Sequence, residues 1–161
     1  MTGCPVSRTL VALLLVPALA LAKVDDGLTG YHGEDYAQLA REIAPKAAAG
    51  IAAAQLTLAM LHETGRGIAR DEAQAARWYA EAAAQGMAEA RLRLGIMYAE
   101  GRGVAADKAR AHLWLGLAVP ALPDSALRDE AVGALVNLAR RMSAAEIAEA
   151  SLLARDVKGN R

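Results

Sequence analysis

The sequence predicts an all-α protein built from stacked antiparallel helix pairs, and three observations carry that prediction. Ala is abundant and Phe is absent, and Ala has the highest intrinsic helix propensity of any residue. β-Branched residues are sparse beyond the first segment, and small side chains let helix axes approach closely, which suits thin stacked hairpins. Sliding the chain by 36 residues aligns 51–86 with 87–122 without a gap, and 13 of the 36 pairs are identical. Paired alanines are expected by chance in such a composition. Gly65-Arg66-Gly67, Asp71 and Trp78 recurring in register as Gly101-Arg102-Gly103, Asp107 and Trp114 are not.

Residues 1–22 read as a removable export signal. Arg8 supplies positive charge, residues 10–16 form an apolar core, and Pro17 precedes the small-x-small sites Ala18-Leu19-Ala20 and Ala20-Leu21-Ala22. The run is too short, and too broken by Pro17, to serve as a membrane span of ~20 residues. The only Cys, Cys4, lies before the apolar core, so the pattern is not that of a lipoprotein. Cleavage is expected after Ala22, into the periplasm or medium, with no stable membrane insertion afterwards. The remaining 139 residues suffice for one domain and contain no thiol, so its stability must come from packing. Their 17 basic and 18 acidic residues give a formal charge of −1. That balance offers no concentrated positive charge for nucleic acid.

Residues 23–33, with Gly27, Gly30 and Gly33, read as a flexible lead-in. Residues 34–50 form a half-repeat: shifted by 36, Asp35, Ala47, Ala48 and Gly50 find identical partners. One helix over about 34–49 is expected there, kinked or interrupted at Pro45. The repeat 51–86 divides into helices at about 52–63 and 72–84, and the repeat 87–122 into helices at about 88–100 and 108–119. Leu58 with Leu61, and Leu94 with Met97, mark the apolar faces of the first helices at i, i+3 spacing. Gly65 and Gly101 are placed to cap those helices in the left-handed conformation, and Ile68 and Val104 can tuck back beneath the turn. Asp71 and Asp107 are placed to accept from the orphan amides opening the second helices. Trp78 and Trp114 are the large packing residues of those helices, and Gly86 ends the first unit. Beyond Val119, Pro120 and Pro123 break the pattern. Two closing helices are expected within 125–158, at about 125–141 and 144–158, with Ser143 and Glu146 at capping-box spacing. A terminal pair with a changed outer face lets a stack of repeats stop.

The segments Ala54-Gln-Leu-Thr-Leu58 through Gly65-Arg-Gly67-Ile68, and Ala90-Arg-Leu-Arg-Leu94-Gly95-Ile-Met-Tyr98 through Gly101-Arg-Gly103-Val104, resemble the opening of a Sel1-like repeat. Asp71…Ala75-Ala-Arg-Trp78-Tyr79…Gln85-Gly86 and Ala109-Arg-Ala-His112-Leu-Trp114 are similar to its continuation. The likeness extends over about 34–158. The related tetratricopeptide repeat has 34 residues and lacks the Gly-x-Gly turn. Ala59 and His62 depart from the family's usual Gly and Tyr, and Leu122 stands where a closing Gly is expected. The resemblance implies a short right-handed α-solenoid, an α/α superhelix whose first helices line a concave face that grips a protein or peptide. Members act as adaptors and assembly factors, and some small exported ones resemble neutralising partners of secreted toxins.

No catalytic, cofactor or metal site is expected. Ser125, Ser143 and Ser151 lack a nucleophile-elbow context, and Ser125 and Ser143 read as helix caps. His32, His62 and His112 are widely spaced and form no His-x-x-x-His pair. The Gly-Arg-Gly turns neither follow a strand nor open a Gly-Lys-Ser helix, and Glu146 and Glu149 read as a cap and a solvated face. The candidate protein-binding residues are Gln55, Thr57 and Met60 in the first unit and their counterparts Arg91, Arg93 and Ile96 in the second. The two arginines suit an acidic partner. The leading reading is an exported interaction scaffold or adaptor. An inhibitor or immunity-type protein that neutralises one toxin or enzyme is the alternative, and a hydrolase with an unrecognised site comes last. With few units, a weak homodimer through an end face is a further expectation.

Overall fold

The computed structural model describes residues 33–159. Residues 1–32, where the export signal and most of the lead-in are expected, lie outside the described residues. Among those described there are seven α-helices and one 3₁₀ turn, and no strand. The helices are α1 Gly33–Ala48, α2 Ala52–Thr64, α3 Glu72–Ala84, α4 Ala88–Glu100 and α5 Lys108–Ala118, followed by the turn Val119–Ala121, then α6 Ala126–Ala139 and α7 Ala144–Gly159. Each helix from α1 to α5 packs against the next, and α2–α3 and α4–α5 are the two most extensive pairs. Those pairs are the two 36-residue units. The closing helices lie mainly against α5, and α6 also touches α4.

The local signals account for the helix ends. Gly65 and Gly101 follow α2 and α4 with φ of 70° and 72°, and their amides donate to Leu61 O and Met97 O. This is the left-handed C-cap, in which a Cβ would be strained. Asp71 Oδ1 accepts from the Gln74 amide and Asp107 Oδ1 from the Arg110 amide, both at 2.9 Å. Ser143 and Glu146 form the reciprocal box: the Glu146 amide donates to Ser143 Oγ at 3.2 Å, and the Ser143 amide to Glu146 Oε2 at 2.7 Å.

Two local expectations are corrected. α1 runs through Pro45 without interruption. Pro45 lies in the last turn, where the missing N–H removes a single helical bond. Ser125 occupies the N-cap position of α6 but makes no capping bond, because its hydroxyl donates to Pro123 O at 3.1 Å. Leu122 is buried against Leu92, Leu115 and Ala131. It plugs the core where a repeat would otherwise end on Gly.

Gly67 and Gly103 serve the stacking itself. A Cβ on Gly67 would run into the backbone of Tyr36 and Ala37, and one on Gly103 into Glu72 and Ala73. The two sets of neighbours are themselves 36 residues apart. Each Gly-Arg-Gly turn therefore docks on the opening of the preceding unit's second helix. The core divides into one cluster around Leu56, Tyr79, Leu94 and Met97 and another around Leu92, Leu115, Leu122 and Leu138. Trp78 and Trp114 are only half-buried, at the margin of the first cluster, while Tyr79 is fully buried.

Candidate interaction surfaces

Three of the six candidate binding residues are built into the stack. Gln55, Thr57 and Arg91 are only 4%, 4% and 6% exposed. Gln55 Nε2 donates to Ala47 O at 3.2 Å, and its Oε1 accepts from Gln85 Nε2 at 2.7 Å. Arg91, at the same register in the second unit, donates from Nε to Ala83 O at 3.2 Å and from Nη1 to Leu117 O at 3.4 Å. Both side chains thus reach the carbonyl eight residues back, at the end of the preceding unit's second helix. Thr57 Oγ1 donates to Ala53 O at 2.9 Å. Burial takes these three out of the expected binding face: Gln55 and Arg91 tie successive units together, and Thr57 bonds back within its own helix.

The other three remain at the surface in part. Met60 packs against the first core cluster. Arg93 and Ile96 line a groove of about 430 Å³ between α4 and α6, together with Arg102, Glu130, Asn137 and Arg141. Arg93 Nη1 lies 3.5 Å from Glu130 Oε1, and its Nη2 lies 3.9 Å from Glu89 Oε1. Burial raises the Glu89 carboxyl above the usual glutamate range; the Arg93 cation opposes that shift and the Glu130 charge adds to it. Arg102 donates to Glu100 Oε2 at 2.6 Å and to Glu63 Oε1 at 3.1 Å. Although partial burial works against its charge, these bonds outweigh that and hold the guanidinium above its ordinary value. The groove therefore carries three arginines, two of them paired with Glu100 and Glu130 of the same lining, beside apolar Ile96 and Leu138.

A second groove, of about 660 Å³, lies between α1 and α3 with α2 as its floor. Arg41, Leu58, His62, Ile68 and Trp78 are among its lining residues. His62 Nδ1 is buried without a hydrogen-bond partner. Among the described residues no group of His, Cys, Asp and Glu is placed to hold a metal ion, and no helix is long and apolar enough to cross a membrane. The hydroxyls of Ser143 and Ser151 are engaged, the first by the capping box and the second with Ile147 O at 2.9 Å.

The two helix pairs coincide with two matches to the Sel1 repeat family model, at residues 52–87 and 88–119. Among solved structures, a Sel1 repeat protein from Oxalobacter formigenes superposes with a TM-score of 0.55 at 31% identity, over 60% of this chain and 69% of that one. The chain belongs to the Sel1 repeat family. A protective antigen of uropathogenic Escherichia coli with an SLR fold superposes with a TM-score of 0.70 at 27% identity. That match covers 78% of this chain but 26% of the antigen, so the chain spans about a quarter of that relative's length. A comparison with curated proteins gave no match.

Sel1 repeat proteins are generally scaffolds for protein–protein interaction and generally non-catalytic. The Sel1 geometry brings Arg93 and Ile96 together with α6 residues that sequence reasoning did not select, chiefly Glu130, Asn137 and Arg141. Their 36-residue register gives no signal, because α6 lies beyond the repeats.

Proposed function

We propose that this chain is an exported Sel1 repeat scaffold that holds an acidic segment of a partner protein in the groove between α4 and α6. The observation that carries this reading is the convergence of Arg93, Arg102 and Arg141, which outnumber Glu100 and Glu130, with the apolar Ile96 and Leu138 along one cleft. Arg combines a rigid fork of donors with an apolar stem, which suits it to interfaces. Export is supported by the order of Arg8, the apolar stretch at 10–16 and the small-x-small sites ending at Ala22.

Two measurements test the reading. Fractionation with N-terminal sequencing should find the mature protein outside the cytoplasm and starting at Lys23; a full-length cytoplasmic product defeats the export claim. Affinity capture from periplasmic extract should return a reproducible protein partner, and Arg93→Glu with Arg141→Glu should weaken its binding about tenfold or more, a loss of about 1.4 kcal/mol. Unchanged affinity in a folded double variant defeats the choice of groove.

A further inference from the structure

We propose that the groove between α1 and α3 takes up an aromatic side chain presented from an acidic stretch of a partner protein. The second unit shows what the first has given up. Tyr98 packs its ring against both core clusters, and the Arg110 guanidinium lies over that ring, 5.7 Å from its centroid. Asp107 holds Arg110 there at 3.4 Å. Thirty-six residues earlier the same three positions carry His62, Gln74 and Asp71. Asp71 still caps its helix, but imidazole reaches less far than a phenol, and an amide cannot lay a cation over a ring. The first unit thus lacks the ring and lid that the second supplies for itself.

The opening is about 660 Å³, within the range of clefts that hold a ligand group. Its walls include Leu58, Ile68 and Trp78, which offer apolar contact to an entering ring. His62 Nδ1 is a buried polar atom left without a partner, an arrangement that folded proteins rarely tolerate without a use. Arg41 lines the same groove, is exposed, and makes no ion pair or hydrogen bond with any described residue. Asp71, the acid in the groove, already has its Oδ1 accepting from the Gln74 amide of α3. The charged group still open to a new partner in this groove is therefore the Arg41 guanidinium. A guanidinium attracts both the face of an aromatic ring and a neighbouring carboxylate, so the groove selects an aromatic residue with acidic neighbours.

The test follows the amide NMR spectrum of the full chain during titration with acetyl-Asp-Tyr-Asp-amide. Acetyl-Asp-Ala-Asp-amide and acetyl-Lys-Tyr-Lys-amide serve as comparison probes. Saturable shifts confined to residues 37–44, 58–68 and 74–78, with the first probe binding at least tenfold more tightly than either other, are expected. His62→Tyr restores the residue of the second unit and should abolish the shifts while keeping the helical spectrum. Should that variant not fold, Ala44→Leu fills the groove from α1 and should give the same loss. Arg41→Glu should reverse the preference toward the Lys-flanked peptide. Arg93→Glu, in the other groove, should leave the titration unchanged, so this proposal and the proposed function fail separately. Equal response to the Ala peptide, undiminished binding by a folded groove-filled variant, or concentration-dependent self-association that maps to these residues without peptide overturns the proposal, the last in favour of a second copy of the chain.

Discussion

The Tyr79 hydroxyl donates to Glu63 Oε2 at 2.7 Å, joining the two helices of the first unit at a fully buried phenol. Glu63 turns its other oxygen to Arg102 Nη1 at 3.1 Å, so one carboxylate ties its own unit to the turn of the next. Burial, with the adjacent Glu63 charge second, pushes the Tyr79 hydroxyl far above the ordinary tyrosine range. It therefore stays protonated and able to donate. Tyr79→Phe keeps the ring and removes the bond to a charged acceptor, and should lower stability by ~1.5–3 kcal/mol. Urea denaturation measures this directly; an unchanged midpoint and slope would show that the bond contributes nothing net.

The two glycines of each turn should differ in their tolerance of a methyl group. All four have positive φ, so Ala costs roughly 1–2 kcal/mol at each from conformation alone. At Gly65 and Gly101 the nearest atoms to an added Cβ are the side chains of Arg70 and Ala106, at 3.1 and 3.3 Å. At Gly67 and Gly103 the obstacle is backbone of the preceding unit. Gly103→Ala should thus lower the melting temperature clearly more than Gly101→Ala. Equal losses would mean that the stack yields without cost.

Arg91 should behave as a structural residue. Arg91→Ala leaves the carbonyls of Ala83 and Leu117 without this donor, and loss of a charged hydrogen bond costs ~1.5–3 kcal/mol. Arg93→Ala, whose side chain is part-exposed in its ion pairs, should cost less than ~1 kcal/mol. Paired denaturation curves test the ranking, and a reversed order would place Arg91 back on the surface.

Glu89 gives the fold a pH dependence of definite sign. Its folded carboxyl holds a proton more tightly than the unfolded one, whose reference value is 4.5. Its contribution to stability is therefore greatest below that value and is lost as pH rises through the folded value. Glu89→Gln should gain stability relative to the parent at pH 7 compared with pH 4. Thermal melts of both proteins at the two pH values decide it; a variant whose relative stability falls as pH rises would reverse the assignment.

Much of this fold was legible because its signals are local. A glycine after a helix, an aspartate before one and a Ser-x-x-Glu box each act within a few residues, so the boundaries of α2 to α5 and the box at Ser143 could be read from spacing. The tail was less legible. Pro45 and Ser125 carry strong local tendencies that their surroundings did not realise, one because it falls in a final turn and the other because a nearer carbonyl took the hydroxyl.

The sequence by itself determined the repeat, its period and the helices within it, since these depend on propensity and on pairs of residues close along the chain. Only the tertiary structure decided which side of each helix faces a neighbour. Gln55 and Arg91 read as surface because they are polar, yet a preceding helix end places a last-turn carbonyl within their reach, one that also accepts from the amide of Gly50 or Gly86. The grooves belong to that second class as well. The one beside Arg93 needs α6, and the one beside His62 needs α1, α2 and α3 together. A space between helices is set by the distance between their axes and by which side chains fill it, and no single stretch of sequence contains that distance.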